Sequence, residues 1–139
     1  AWVRAEPAQT FGDFAAPSML ANIRASVLRL HRAGARIVVG TDSPFTPIGM
    51  NTHNELLQAV KAGLSPFEAL RSATVVPAGL LGAERDLGTL EPGKLADLVV
   101  VDGDPLVDIR AARNVRMVMR DGRLYTLEEL VGGTAAAGP

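Results

Sequence analysis

Few residues in this chain are equipped for chemistry. Cysteine is absent, which removes disulfides and thiolate metal sites and leaves the compartment open. The histidines are His31 and His53. One carboxylate stands in a distinctive place: Asp42, in Gly40-Thr41-Asp42-Ser43-Pro44, directly after the apolar run Ile37-Val38-Val39. In α/β barrels the C-terminal end of a buried strand is where catalytic groups are placed, because the strand fixes them and the following loops surround them. The plainer alternative is an aspartate that caps a turn before Ser-Pro. The local residues leave both readings open.

The elements around Asp42 follow from spacing. Residues 1–17 carry Pro7, Gly12 and Pro17 and no sustained period, so they read as irregular. From Ser18 onward, Met19, Ile23, Val27 and Leu30 recur as one helix face, with His31 and Arg32 in the last turn and Gly34 as the stop. Arg36 to Gly40 is short, β-branched and bounded by glycines, as a strand buried on both faces would be. After a Pro- and Gly-containing loop, Thr52 and Glu55 read as a capping box opening a helix that stops at Gly63. Ser65-Pro66-Phe67-Glu68 repeats the device for a helix to about Ala73, and a short third helix near Pro77 to Leu81 ends at Gly82.

Beyond Gly82 the pattern turns to strands. Leu95 to Asp102 follows the turn Glu91-Pro92-Gly93-Lys94, whose central Pro-Gly is type II chemistry. Val115 to Arg120 and Arg123 to Thr126 flank Asp121-Gly122, a strong hairpin signal. Met117 and Met119 alternate there and read as core rather than ligands. The domains expected are therefore 1–87, helical around one buried strand, and 88–126, mostly strand, with 127–139 as a disordered tail.

Composition narrows the partners. The 139 residues are 47% hydrophobic and 21% charged with a net charge of −1, ordinary for a soluble domain large enough to bury a core. The near-neutral balance argues against nucleic acid or an anionic membrane surface. The sequence has neither a membrane-spanning run nor a signal peptide at its start, so a soluble chain is expected, with the cytoplasm as default compartment. Its first residue is Ala1 rather than Met, which reads as processing or as a piece of something longer.

Taken together, Gly88-x-Leu90-x-x-Gly93-x-x-Ala96-Asp97-Leu98-Val99, Asp104-Pro105-Leu106 and Val118-Met119-Arg120-Asp121-Gly122-Arg123 resemble the strand-returning signature of the amidohydrolase superfamily. Upstream, Gly40-Thr41-Asp42 is similar to that superfamily's eighth barrel strand and its metal-site aspartate. Ala62-Gly63-Leu64-Ser65-Pro66, Glu68-Ala69-Leu70 and Ala73-Thr74 are similar to its closing helices. The similarity runs from about residue 25 to 126, in order, and looks closest to the imidazolonepropionase- and prolidase-like branch.

The resemblance implies an α/β fold: the C-terminal portion of a (β/α)8 TIM-like barrel followed by strands of a composite β-sandwich domain. It implies a hydrolase acting on carbon–nitrogen bonds of a small-molecule substrate, with one or two divalent metals, usually zinc, activating water. Asp42 would bind the metal, take the water's proton and pass it to the leaving group. His53 and Ser43 are the substrate-binding candidates, with Ser43 and Pro44 shaping the loop. For His53 the competing reading is an exposed imidazole in a first helical turn; His31 reads as structural.

The sequence also departs from the pattern. Such sites need a His-x-His pair and further histidines, and zinc takes three or four protein ligands. Tight metal binding by this chain alone is therefore not expected. The alternative function is an inactive interaction or structural module that kept only the terminal part of the fold. A lone parallel-type strand needs neighbours on both edges. The expectation is a missing N-terminal barrel segment, self-association, or a core rearranged so that residues 36–40 join the 95–126 sheet.

Overall fold

The structure, a computed structural model, describes residues 17–41 and 50–132. The chain divides into two compact units, Ala1–Ala73 and Thr74–Pro139.

In the first unit, helix α1 (Pro17–Arg32) has Arg29, His31 and Arg32 in its last turn, where positive charge suits the exposed carbonyls. It closes with Gly34 N–H donating to the His31 carbonyl (2.9 Å) and Ala35 N–H to the Leu30 carbonyl (3.0 Å), the paired bonds of a Schellman cap. Helix α2 (Asn51–Ala62) ends the same way at Gly63, with Leu64 N–H donating to the Ala59 carbonyl (3.2 Å). Its start differs from expectation. The N-cap is Met50, without a side-chain bond, so Thr52 lies inside the first turn and the Thr52–Glu55 capping box does not form. Helix α3 (Pro66–Ser72) does carry its full capping box. Ser65 Oγ accepts from Glu68 N–H (3.2 Å), and Glu68 Oε2 accepts from Ser65 N–H (2.7 Å) and Ser65 Oγ (2.6 Å).

The face that α1 buries is also a correction. Of the expected face Met19, Ile23, Val27 and Leu30, Val27 is half-buried, while Met19, Ile23 and Leu30 are 48%, 42% and 54% exposed. The neighbouring stripe through Leu20, Arg24, Leu28 and His31 is the half-buried one. Its polar members are tolerated there because each has a partner. Arg24 donates to Gln58 Oε1 on α2 through Nη2 (2.6 Å) and Nε (3.1 Å), and His31 reaches Glu68 on α3.

Residues 36–40 do not form a strand. Extended backbone becomes a strand only when a neighbour supplies a ladder, and no described strand pairs with this segment. Its Val39 N–H donates instead to the carbonyl of Ser72 (3.0 Å), and Val38 is 38% exposed.

In the second unit, helix α4 (Val75–Leu80) is followed by a loop that folds back on it. A Cβ at Gly88 would lie 2.9 Å from Ala78 Cβ and 3.1 Å from Val75 Cα, so only glycine permits that approach. The expected turn at 91–94 forms, with Lys94 N–H donating to the Glu91 carbonyl (3.2 Å). Lys94 Nζ then donates to the Glu84 carbonyl (2.7 Å) and Thr89 Oγ1 (2.5 Å), stitching the loop together.

An antiparallel sheet follows, β1 (Leu98–Val101), β2 (Val115–Arg120) and β3 (Arg123–Thr126), in the order β1-β2-β3. Both hairpin strands have the expected bounds. The register puts Leu98 and Val100 opposite Met119 and Met117, so the half-buried methionines share a face with aliphatic partners. β1 is shorter than the Leu95–Asp102 run. Leu95 N–H goes to the Asp86 carbonyl (3.0 Å), and the Ala96 carbonyl receives Gly122 N–H (3.2 Å), so these residues bond outside the ladder. A 3-10 helix (Ile109–Arg113), capped by Asp108, buries Ile109 between β1 and β2 in sequence. Residues 36–40 are not a strand of this sheet. Where a tail from residue 127 was expected, helix α5 (Leu127–Gly132) forms, because Thr126 accepts from Glu129 N–H (3.3 Å) and Glu129 from Thr126 N–H (2.7 Å) as a second capping box. Residues 133–139 lie outside the described residues.

Candidate functional site

Asp42 and Ser43, the principal candidates, lie outside the described residues. What the structure does describe is the approach to them. The segment 35–41 leaves the cap of α1 through the Ala35–Leu30 bond and is tied to the end of α3 through Val39 and Ser72. Ser72 is 2% exposed, and its Oγ donates to the Ala69 carbonyl (2.6 Å), which satisfies a hydroxyl that burial would otherwise penalise.

The third candidate, His53, sits in the first turn of α2 and is half-buried rather than exposed. His31 is the more informative histidine. Its Nε2 is 3.0 Å from Glu68 Oε1. The Glu68 carboxyl is held down to about 2, first by the Ser65 hydroxyl, then by the Ser65 N–H, then by His31. An ionised carboxylate can only accept, so His31 Nε2 donates. The sequence signal for this contact was present in Ser65-x-x-Glu68: a capping box uses one carboxylate oxygen and leaves the other for a neighbour.

As a metal centre the described residues do not fit. Among them no three His, Asp or Glu side chains gather to hold an ion, and His31 Nε2 is committed to Glu68. An aspartate at position 42 is the right kind of donor, a hard oxygen, but one ligand is fewer than a zinc site uses. A shallow groove along α1, past Met19, Ile23 and Leu30, is lined by a single helix with no titratable side chain, so it is no substrate pocket.

The signature residues of the second unit have structural work. Gly88 permits the close approach to α4, Lys94 stitches the loop, and Asp97 Oδ1, just before β1, accepts from Asp121 N–H (2.6 Å) in the β2–β3 turn.

Residues 15–125 match the amidohydrolase family. The chain belongs to that family. It is similar to 5-methylthioadenosine/S-adenosylhomocysteine deaminase of Caldanaerobacter subterraneus, 35% identical over 92 residues, which are 60% of this chain and 21% of the relative. It is also similar to imidazolonepropionase of Sphingopyxis alaskensis, 40% identical over 84 residues, 57% of this chain and 20% of the relative. Among solved structures it resembles a Xaa-Pro dipeptidase with methionine bound in the active site, with a TM-score of 0.71 and 38% identity over 75% of this chain and 25% of that one. This amidohydrolase chain thus spans about a fifth of the curated relatives' length and a quarter of the solved structure's. The imidazolonepropionase and prolidase likeness read from the motifs is borne out, and a deaminase stands beside it. No helix among the described residues is long and apolar enough to cross a membrane.

Proposed function

We propose that this chain is part of a metal-dependent hydrolase that cleaves carbon–nitrogen bonds in a small-molecule substrate, with Asp42 as metal ligand and general base. The supporting observation is that Gly40-Thr41-Asp42 falls inside the span 15–125 matched to the amidohydrolase family. The relatives named above include a deaminase and a dipeptidase, both of which release a nitrogen leaving group. In this reading the first 87 residues, with 36–40 as last strand, complete a (β/α)8 barrel, and residues 88–126 return to a β-sandwich. The remaining barrel strands and metal ligands come from a further segment of polypeptide or another subunit.

Zinc, as one or two ions held by Asp42 together with ligands from outside this chain, would lower the pKa of its water toward neutrality. The role of this chain is the proton. Asp42 accepts it from the attacking water and delivers it to the leaving nitrogen. Ser43 and His53 are the candidates for contact with the substrate in this reading. Asp42→Asn in the complete enzyme keeps an oxygen ligand and loses the base, so turnover falls by about 10²–10⁴-fold with folding intact. Wild-type turnover in that variant removes Asp42 from the mechanism.

A second reading, an inactive interaction module, is favoured by one observation: the described residues bring no metal-ligand group together. A His-x-His motif after a β-like run in the reading frame upstream of Ala1 decides for the enzyme. Both readings expect the 139-residue chain alone to hold no stoichiometric zinc. Tight zinc that disappears in Asp42→Ala overturns that expectation.

A further inference from the structure

We propose that the outer edge of β1 is a docking site for an extended peptide segment whose apolar residues are bracketed by Lys or Arg. The inference lies wholly in the second unit and does not depend on the reading of Asp42.

In the order β1-β2-β3, one side of β1 meets β2, and no described strand lies along the other. Its hydrogen bonds fix which residues face which way. The Ala96 carbonyl accepts from Gly122 N–H (3.2 Å), and Asp102 N–H donates to the Asn114 carbonyl (2.9 Å). Backbone groups alternate sides along an extended strand, so Ala96, Leu98, Val100 and Asp102 bond inward. Val99 and Val101 turn their N–H and C=O groups to the outer edge. The register skips Arg116 on β2 rather than a residue of β1, so the alternation in β1 runs unbroken.

Proteins usually blunt an open edge with a charge or a proline inside the strand. Leu98-Val99-Val100-Val101 has neither, and Val99 is 56% exposed. Charge stands at its two ends instead, as the exposed Asp97 and Asp102. Asp97 Oδ1 accepts from Asp121 N–H (2.6 Å), and Asp102 Oδ1 lies 3.6 Å from Arg116 Nη1. A carboxylate has a second oxygen for a further donor, so each can also take a cation from an added strand.

These two charges choose the occupant. Antiparallel pairing of Val99 with Val101 of a second copy puts Asp97 of each copy within one position of Asp102 of the other. Like charges then crowd both ends of the new ladder, which opposes it. A segment with a basic residue at each end and four strand-forming residues between reverses the sign at both ends. Opposite charges across the ladder then add to the backbone bonds that hold any added strand.

The test uses two end-blocked hexapeptides, Lys-Val-Thr-Val-Thr-Lys and Glu-Val-Thr-Val-Thr-Glu, added at millimolar concentration to the 139-residue chain. Amide hydrogen exchange is followed by NMR. At saturation the Lys peptide should slow exchange at Val99 and Val101 about tenfold, the effect of one hydrogen bond at each. Leu124 on β3, the opposite edge of the sheet, should keep its rate. The Glu peptide should need about tenfold more for the same protection. In Asp97→Asn/Asp102→Asn, which keeps an acceptor at both positions, the two peptides should act alike. Unchanged exchange at Val99 and Val101 with the Lys peptide overturns the proposal. So does equal protection by both peptides in the wild-type chain, protection at Leu124 instead, or a double variant that still prefers the Lys peptide. Protection of Val99 that rises with chain concentration before any peptide is added makes a second copy the occupant and overturns it too.

Discussion

Leu28 of α1 lies directly over Gly63, the residue that ends α2: a Cβ built on Gly63 would meet Leu28 Cδ1 at 3.1 Å and Cδ2 at 3.2 Å. Gly63 also has φ of +111°, where an L side chain is strained. Two costs thus coincide at one position. Gly63→Ala should lose about 1–2 kcal/mol of stability, read as a lower urea midpoint. In a Leu28→Ala background the same change should cost less but not nothing, because the contact is relieved and the backbone is not. An equal cost in both backgrounds would show that Leu28 does not set the constraint.

The hairpin makes a second test. Asp97 Oδ1 accepts from Asp121 N–H at 2.6 Å, 24 residues away, and Asp121 sits at φ +49° in the turn. Asp97→Ala removes a charge-assisted bond at an exposed site and should cost about 1 kcal/mol. Faster amide exchange should appear first at Asp121 and Gly122. Asp97→Asn, which retains an acceptor, should recover part of the loss. If both variants match wild type, the tie has no energetic role.

The pH dependence of the first unit has a definite sign. Glu68 falls from an ordinary 4.5 to about 2 in the folded chain. A depressed carboxyl contributes stability that is complete above about 4.5 and is lost as pH falls toward about 2. In the second unit Asp108 and Glu129, lowered by Arg110 and Thr126, act in the same direction. The difference between wild type and Glu68→Gln isolates the one group. It should shrink as pH falls between about 4.5 and 2. A difference independent of pH over that window would show that the Ser65 and His31 contacts do not favour the ionised form.

These tests also mark what could be read before the structure was known. The Ser65–Glu68 box and the Asp121-Gly122 hairpin were legible because each is built from neighbours in sequence. Thr52–Glu55 has the same spelling and fails, since the helix begins at Asn51, two residues earlier than a Thr52 cap would start it. The strand at 36–40 was read from composition, but a strand exists only with a partner, and partnership is not local. His31 looked inert because its partner, Glu68, is 37 residues on. Asp42 was singled out by its place after an apolar run and by the resemblance, and its position falls outside the described residues.

The face of α1 leads to the last prediction. Met19, Ile23 and Leu30 lie along one side of the helix and are 42–54% exposed, while α2 and α3 are met by the adjacent side through Arg24, Leu28 and His31. Val38 adds a further exposed aliphatic at 38%, on a segment whose extended backbone can accept a strand from another chain. An apolar stripe of this kind drives association when nothing else covers it. The purified chain should therefore show a mass by light scattering that rises with concentration. Ile23→Glu places a charge in the middle of the stripe. Because the residue is 42% exposed and on the side away from α2, the change should cost under about 0.5 kcal/mol in stability while moving the chain toward monomer. Monomeric wild type at all concentrations would show that the stripe is tolerated in water, and an associated Ile23→Glu variant would place the contact elsewhere on the chain.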